Sequence, residues 1–273
     1  MARINKYIST KSLIVKSNLP EADYVINPYV GCLHNCVYCY ASFMKRFYKI
    51  DDDWGKFAIP KTYSPIKNIQ KYDGKTVLFS SVTDPYQPIE RKYQLTRKIL
   101  SDFRNSSAKL EILTKSPLVL RDLDILKTIP YVTVGMSFSL TIQQARRVFE
   151  VGCVDYQIRL DTIKEIKRSG IRTYAFISPI FPEISDVKKI VNDVCDYVDY
   201  IFFENLNLKG IYKKNILSLI REYYPDYIEL YEKIYSDSNY ASTYWKEQEK
   251  NIVNYLQEKN IVNYKFFFNH GRQ

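Results

Sequence analysis

The sequence predicts an α/β protein built on a parallel β-sheet, because short apolar runs alternate with helical stretches six times along the chain. The runs are apolar almost throughout, which is typical of parallel strands buried on both faces. Apolar residues make up 46% of the 273 residues, enough for a sizeable core. The predicted strands are residues 24–30, 76–80, 110–114, 132–138, 172–178 and 200–204. The predicted helices that follow them are residues 41–48, 91–104, 118–127, 154–169, 186–198 and 211–223.

One large domain with additions at both ends is expected from this length. The predicted parts are an N-terminal segment (1–23), an α/β domain (24–210) with an insertion (51–75), and a mainly helical C-terminal extension (211–273). In the extension, Pro225 predicts a helix that reaches about residue 235. Asn239 or Ser242 is expected to cap a second helix that reaches about residue 258.

The sequence indicates a cytoplasmic protein without a membrane span. The only long apolar run, near Ile177, is interrupted by Pro179 and Pro182. The first ten residues lack the apolar stretch of a secretory signal. The five cysteines are odd in number and unevenly spread, unlike a secreted disulfide framework.

Basic residues outnumber acidic ones, and the formal net charge is +10. Residues 1–49 contain seven Lys or Arg and two acidic residues, which gives this segment +5. A basic surface attracts polyanions, so a nucleic acid is an expected partner. A lysine-rich surface that contacts only solvent is the alternative.

Cys32, Cys36 and Cys39 form a C-x3-C-x2-C pattern just after the first predicted strand. Three thiolates on one short loop can ligate three irons of a [4Fe-4S] cluster and leave the fourth iron open to a substrate. Gly31, directly before the first thiol, allows the tight turn. A structural zinc site is the alternative, but it needs four ligands, usually in two separated pairs. A fourth ligand would have to come from a residue that belongs to no such pair. The candidates for that ligand are Cys153, Cys195, His34 and His270. Inert structural cysteines are the remaining alternative, and the spacing favours the cluster.

This cysteine loop, with an aromatic residue directly after the third cysteine, resembles the radical S-adenosylmethionine (SAM) superfamily. Further motifs resemble its spore-photoproduct-lyase-like branch, many members of which carry the label "DNA repair photolyase". These motifs are Tyr38 and Tyr40 around Cys39, SSVTDPYQPIE at 80–90, TKSPLVLRDLD at 114–124, SFSLT at 137–141, Glu150, and Arg159 with Leu160. The resemblance covers about residues 24–205.

The resemblance implies a partial (β/α)6 TIM-like barrel with its site at the C-terminal ends of the strands. It also implies the chemistry: SAM binds the open iron, and an electron from the cluster cleaves it to a 5′-deoxyadenosyl radical that removes hydrogen from a substrate. A reductant such as ferredoxin or flavodoxin is then an expected partner. Such a radical must be kept from water, so a closed cavity is expected.

The implied cofactor contacts follow successive predicted strands. They are Ser80, Ser81, Thr83 and Asp84 after the second strand, Lys115 and Ser116 after the third, Ser137 and Ser139 after the fourth, Ser178 after the fifth, and Glu204 and Asn205 after the sixth. Lys115 is expected to pair with the SAM carboxylate, and Tyr40 also suits packing against the adenine. Each residue taken singly fits a cap or turn equally well.

One departure from the branch concerns the loop after the second strand. True spore photoproduct lyases carry a hydrogen-donor cysteine there, and this chain has Ser81 at the corresponding place. An O–H bond is too strong to donate hydrogen readily to a carbon radical, so repair of spore photoproduct by that route is not expected. Tyr38 and Tyr40 remain as candidate catalytic residues, because a phenol can relay a radical.

The sequence is therefore compatible with three functions. The first is a radical SAM enzyme that acts on a nucleic acid, which the branch resemblance and the +10 charge favour. The second is a radical SAM enzyme that modifies a peptide or protein. The third is an iron–sulfur sensor without turnover, against which the set of candidate SAM contacts argues.

Overall fold

The computed structural model describes residues 7–208 and 211–269. The strands in these ranges are β1 (Ile14–Lys16), β2 (Tyr24–Ile26), β3 (Tyr29–Gly31), β4 (Ala58–Pro60), β5 (Thr76–Phe79), β6 (Lys109–Thr114), β7 (Val132–Phe138), β8 (Arg172–Ile180), β9 (Tyr200–Asn205) and β10 (Tyr264–Phe266). Within the described chain, eight strands form one sheet in the order β1-β2-β5-β6-β7-β8-β9-β10. Neighbours are parallel from β2 to β7 and from β8 to β10, whereas β1 is antiparallel to β2. The predicted α/β class with a parallel sheet is confirmed.

The helices alternate with these strands, as a partial barrel requires. They are α1 (Met44–Tyr48), α2 (Glu90–Tyr93), α3 (Leu95–Asp102), α4 (Leu123–Leu126), α5 (Gln143–Phe149), α6 (Tyr156–Arg168), α7 (Val187–Val194), α8 (Ile211–Tyr223), α9 (Ile228–Ser236) and α10 (Ser238–Glu258). Short 3-10 helices at Tyr40–Phe43, Ile69–Tyr72, Pro117–Asp122, Cys195–Tyr197 and Pro225–Tyr227 complete the set in the described residues.

The strands predicted from residue 76 onward are confirmed to within two residues at each end. Ser178 lies inside β8, because that strand continues to Ile180, so its predicted place at a strand end is wrong. The sequence reading missed β1, β4 and β10, each of which has three residues. Strands this short show no periodicity, and β10 lies in the extension that was predicted to be mainly helical.

The first predicted strand, residues 24–30, is wrong as a single element. It is divided into β2, which belongs to the large sheet, and β3, which pairs with β4 of the insertion. Pro28 lies between them and has no N–H to donate to a sheet. The side chain of Asn27 accepts hydrogen bonds from the N–H groups of Ser81 (3.0 Å) and Val82 (3.1 Å) instead.

Several predicted helices are subdivided. Residues 91–104 form two helices, α2 and α3, because Gln94 between them adopts a left-handed conformation with φ of 49°. The carboxylate of Glu90 then accepts the N–H of Thr96 at 2.9 Å and satisfies a donor at the start of α3. Residues 118–127 are divided between a 3-10 helix, Pro117–Asp122, and α4, and α5 was not predicted.

The C-terminal helices largely agree with prediction. The predicted helix at residues 211–223 is confirmed, and α10 ends at the predicted Glu258. The predicted cap of α10 is wrong: Asp237 caps it by accepting the N–H groups of Asn239 (2.9 Å) and Tyr240 (3.1 Å). Gly170 follows the end of α6, with φ of 82° and its N–H bonded to the Lys167 carbonyl.

The chain divides into two compact units. The first contains residues up to Asn35, Ala41–Met136 and Gly152–Thr173, and the second contains Cys36–Tyr40, Ser137–Val151 and the residues from Tyr174 onward. The core of the first includes Ile26, Val77, Phe79, Leu110, Ile112 and Val134. The core of the second includes Phe149, Phe181, Ile216, Ile220 and Tyr231. The predicted boundaries at residues 23 and 210 stay predictions, and Arg3, Lys6 and His270 lie outside the described residues.

A buried ionic network fixes the first unit. The Glu90 carboxylate is fully buried and accepts hydrogen bonds from the Tyr29 hydroxyl and from Arg121 Nη2 at 2.7 Å. Arg121 also contacts Asp122 at 2.7 Å, and Arg97 contacts the same carboxylate at 2.8 Å. Burial and the neighbouring Glu90 hold the pKa of Tyr29 well above its usual value, so its hydroxyl stays a donor.

Replacing Glu90 by Ala is expected to lower the free energy of unfolding by about 3–5 kcal/mol, because the buried Tyr29 hydroxyl and the Thr96 N–H lose their acceptor and Arg121 loses one of its two carboxylate partners. Urea unfolding measures this loss. The control is Glu232→Ala, since Glu232 forms a solvent-exposed pair with Arg221. The control should cost about 1 kcal/mol or less. Equal losses in the two variants would contradict the assigned role of Glu90.

Candidate active site

The start of the cysteine loop is held by β3 and by the segment that follows β5. Gly31 has φ of 86°, and a Cβ there would lie 2.5 Å from the Phe57 carbonyl oxygen, so a larger residue does not fit. The Gly31 carbonyl accepts hydrogen bonds from the Thr83 hydroxyl (2.6 Å) and from Gln87 Nε2 (3.1 Å). Gln87 Oε1 accepts the Leu33 N–H at 3.0 Å. These bonds fix the backbone on both sides of Cys32.

His34 anchors the middle of the loop. Its Nε2 lies 3.2 Å from an Asp84 carboxylate oxygen, and both side chains are buried. The His34 carbonyl accepts the N–H of Gly152 at 2.9 Å. A Cβ on Gly152 would lie 2.4 Å from the Leu33 carbonyl oxygen, so glycine is required for this close approach. The sequence offered His34 only as a zinc ligand, and the structure places its ring against the Asp84 carboxylate instead.

Asp84 links three segments of the first unit. Besides His34, its carboxylate accepts hydrogen bonds from the Thr114 hydroxyl (2.7 Å) and from the Lys115 N–H (2.8 Å). Burial by itself would raise the pKa of Asp84, but His34 and these hydrogen bonds outweigh that effect, and the pKa is lowered. The carboxylate is therefore ionised and already bonded within the protein.

Some of the other predicted cofactor contacts of the first unit are already hydrogen-bonded within the protein, and one is not. Ser81 bonds to Asn27, and Ser116 caps the following 3-10 helix by accepting the N–H of Leu118 at 3.2 Å. Ser80 is buried in a left-handed conformation with φ of 73°, and within the described residues its hydroxyl has no hydrogen-bond partner. An unsatisfied buried hydroxyl on a strained residue is typical of a ligand site.

The second half of the cysteine loop belongs to the second unit. Cys36 forms an isolated antiparallel bridge with Glu150, and the Val37 N–H bonds to the Phe149 carbonyl at 3.0 Å. Tyr38 donates a hydrogen bond to Glu150, and its ring packs edge-on against Phe181 with 5.6 Å between ring centroids. Tyr40, in contrast, is 53% exposed.

Several polar side chains lie near the ends of β7, β8 and β9 in the second unit. Ser139 donates to the Pro179 carbonyl at 2.6 Å, and the Ser137 hydroxyl lies 3.5 Å from the Ser178 carbonyl oxygen. Ser178 donates to Glu204 at 2.5 Å. Asn205 is bonded through both of its amide atoms to the backbone of Asn269. Asn205 therefore holds the chain after β10.

The donor set fits an iron–sulfur cluster. Cys32, Cys36 and Cys39 lie on one short loop and form no disulfide within the described residues, and thiolates are the usual ligands of such clusters. Cys153 lies with its Sγ 3.6 Å from the His34 carbonyl, and Cys195 lies in a 3-10 helix. The sequence reading missed Asn27 and Gln87, which hold the loop, although Gln87 stands inside the TDPYQP motif.

Comparison with known proteins identifies the class. Residues 26–194 match the radical SAM superfamily, so the chain belongs to it. An uncharacterized protein of Methanocaldococcus jannaschii is 37% identical over 82% of this chain and 85% of its own length. A protein of Pseudomonas phage M6, named radical SAM Nalpha-GlyT isomerase, is 27% identical over 58% of this chain and 33% of its own length.

Solved structures agree on the fold. A spore photoproduct lyase complexed with dinucleoside spore photoproduct matches with a TM-score of 0.66 at 16% identity, over 95% of this chain and 80% of the lyase. Streptococcus suis SuiB bound to S-adenosylmethionine matches with a TM-score of 0.53 at 13% identity, over 90% of this chain and 49% of SuiB. The protein is thus a radical SAM enzyme with a lyase-like fold, and its cofactors are a [4Fe-4S] cluster and SAM. In the part of the chain that the structure describes, each helix is too short or too polar to cross a bilayer.

Replacing Asp84 by Asn is expected to lower the free energy of unfolding by about 3–5 kcal/mol, because the amide has one acceptor oxygen and cannot serve His34, the Thr114 hydroxyl and the Lys115 N–H together in a buried place. Thermal or urea unfolding measures the loss. The matched control is Asp186→Asn, because Asp186 caps α7 by accepting the Lys189 N–H and Asn caps equally well. An Asp84→Asn variant as stable as this control would contradict the central position of the carboxylate.

Proposed function

We propose that this radical SAM enzyme removes a hydrogen atom from a nucleic acid. The observation that carries the proposal is a group of exposed basic side chains between residues 7 and 75 of the first unit that form no salt bridge within the described residues. They are Lys11, Lys16, Arg46, Lys49, Lys56, Lys67, Lys71 and Lys75. Unpaired cations at a surface bind phosphates well, because no ion pair has to be broken.

Two features refine this basic surface. Lys61 is half-buried, and this burial lowers its pKa, so the exposed lysines are the better candidates for phosphate contacts. Three exposed acidic residues, Asp51, Asp52 and Asp53, interrupt the basic stretch and limit where a phosphate backbone can run. The solved lyase complex that shares this fold contains a dinucleoside, which supports a nucleic-acid substrate.

Cys32, Cys36 and Cys39 are proposed as the ligands of the cluster. The cluster with bound SAM supplies a carbon radical that is strong enough to remove hydrogen from an unactivated C–H bond. The chain contributes the positioning: Thr83 and Gln87 hold the backbone before Cys32, and the bridge to Glu150 holds Cys36.

The proposed SAM contacts differ in how well the structure supports them. Two contacts in the first unit are the best supported. The Ser80 hydroxyl has no partner within the described residues, and Asp84 fixes the backbone of Lys115. In the second unit, the Ser178–Glu204 pair offers a carboxylate suited to a ribose or an amino group. Tyr38 and Tyr40 stay proposed as radical relays, and the bond from Tyr38 to Glu150 gives its phenol a proton acceptor.

Single-stranded or distorted nucleic acid is the proposed form of the substrate. A base inside a duplex is stacked and paired, so its C–H bonds are out of reach of an enclosed site unless the base is flipped or already unpaired.

Changing Cys32, Cys36 or Cys39 to Ala is expected to abolish the brown absorbance of the anaerobically reconstituted protein, because a cluster with two thiolate ligands is not retained. Iron and sulfide analysis gives the same information. Cys153→Ala and Cys195→Ala are the controls and should keep the cluster. Loss of the cluster in Cys153→Ala would indicate a four-cysteine site and contradict the proposed ligand set.

Binding of single-stranded nucleic acid is expected to weaken steeply with salt, because each neutralised phosphate releases counterions. About five phosphate contacts on a single strand predict a slope of log affinity against log salt near −3.5. Titrations between about 50 and 300 mM salt with single-stranded DNA, duplex DNA and tRNA measure the slope. If the protein binds none of the three at the lowest salt, the substrate is not a nucleic acid and a peptide becomes the better candidate.

A further inference from the structure

The segment directly after the third cysteine displays an unusual surface. The chain forms a 3-10 helix at Tyr40–Phe43 and then α1, and none of the α1 side chains is buried. Two phenylalanines of this segment face solvent: Phe43 is 42% exposed and Phe47 is 73% exposed. Exposed phenylalanines that occur together on one helical segment mark an interaction surface rather than a random feature of the protein exterior.

The two rings form a defined unit. Phe43 and Phe47 are four residues apart, the spacing at which helical side chains are neighbours. Their ring centroids are 6.0 Å apart and their planes are at 84°, an edge-to-face arrangement. This contact restricts both side chains before a ligand arrives. A flat ligand that stacks on the face of one ring therefore meets the edge of the other.

The charges around the rings are basic. Arg46 and Lys49 are exposed, and neither takes part in a salt bridge within the described residues. Lys45 is half-buried and directs its Nζ to the carbonyl of Asp51 at 3.5 Å. Residues 40–50 contain no acidic residue. The segment therefore combines apolar ring faces with cations that have no partner of their own.

We propose that Phe43 and Phe47 form a stacking platform for unpaired bases of a single-stranded nucleic acid, with Arg46 and Lys49 on its phosphates. Base stacking on aromatic side chains, combined with basic residues along the backbone, is how single strands are bound without sequence preference. The inference rests on the proposed function and assigns the residues that receive the strand.

The acidic residues next to the platform favour a single strand over a wider anionic partner. Asp51, Asp52 and Asp53 are exposed and follow α1 almost directly. A membrane surface or the acidic face of a redox protein is broad and would place negative charge against these carboxylates as well. A single strand is narrow enough to follow Arg46 and Lys49 and to avoid them.

The test compares wild-type protein with the double variant Phe43→Leu/Phe47→Leu, which keeps apolar side chains and removes the rings. Both are reconstituted with the cluster, and their iron content and circular dichroism are matched first. Affinity for a fluorescent single-stranded DNA is measured by anisotropy. The double variant is expected to bind more weakly by a factor of about five or more for each ring that stacks a base. The control is Tyr131→Leu, because Tyr131 is 57% exposed and precedes β7, and this variant should bind as the wild type does.

Two further measurements separate stacking from charge. The wild type should bind a strand with abasic sites more weakly than a normal strand. The double variant should bind the abasic strand no more weakly than the wild type does. The variant Arg46→Gln/Lys49→Gln should reduce the salt slope by about 1.4, the value for two phosphate contacts on a single strand. If the leucine variant does not fold, the abasic strand with wild-type protein still tests the stacking, and Arg46→Gln/Lys49→Gln still tests the phosphate contacts.

The outcomes distinguish this inference from the proposed function. Wild-type protein that binds no strand at low salt overturns both. Equal affinity of wild type and Phe43→Leu/Phe47→Leu, with normal binding by both, overturns the platform and leaves the nucleic-acid substrate standing. The double variant could also bind the strand as the wild type does while flavodoxin reduces its cluster more slowly. That result would assign the surface to the electron donor and overturn the platform.

Discussion

The buried carboxylate of Asp84 is the contact on which the first half of the site depends. It binds His34 in the cysteine loop and the backbone and hydroxyl at the end of β6, so one ion fixes the segments that carry Cys32 and Lys115. Each of these bonds compensates part of the cost of burying the charge. A loop that carries cluster ligands needs such support, because ligands that move by a fraction of an ångström no longer share one metal site.

The sequence motifs that mark the lyase-like branch prove to be largely structural. In TDPYQPIE, Thr83 and Gln87 hold the loop backbone, Asp84 binds His34, and Glu90 pairs with Arg121 of TKSPLVLRDLD. These residues position the site, and a role for them in recognising the substrate is not required. This division explains why motifs that are specific to the branch say little about what its members act on.

The sheet could be predicted from sequence because its strands are continuous apolar runs, and the cysteine loop could be predicted because its spacing is specific. The division of β2 from β3 at Pro28 and the left-handed Gln94 between α2 and α3 depend on hydrogen bonds that the Asn27 and Glu90 side chains accept. The burial of His34 and the satisfied state of Asp84 depend on partners tens of residues away. No local pattern in the chain shows such contacts, so site residues that act through others were misassigned or missed.

Release of 5′-deoxyadenosine tests the proposed substrate class directly. The reconstituted, reduced protein is incubated with SAM alone or with single-stranded DNA, tRNA, or a mixture of peptides, and the nucleoside is quantified by chromatography. A nucleic acid is expected to stimulate release above the level with SAM alone, and the Cys36→Ala variant is expected to release none. Stimulation by peptides with no response to either nucleic acid would exclude a nucleic-acid substrate.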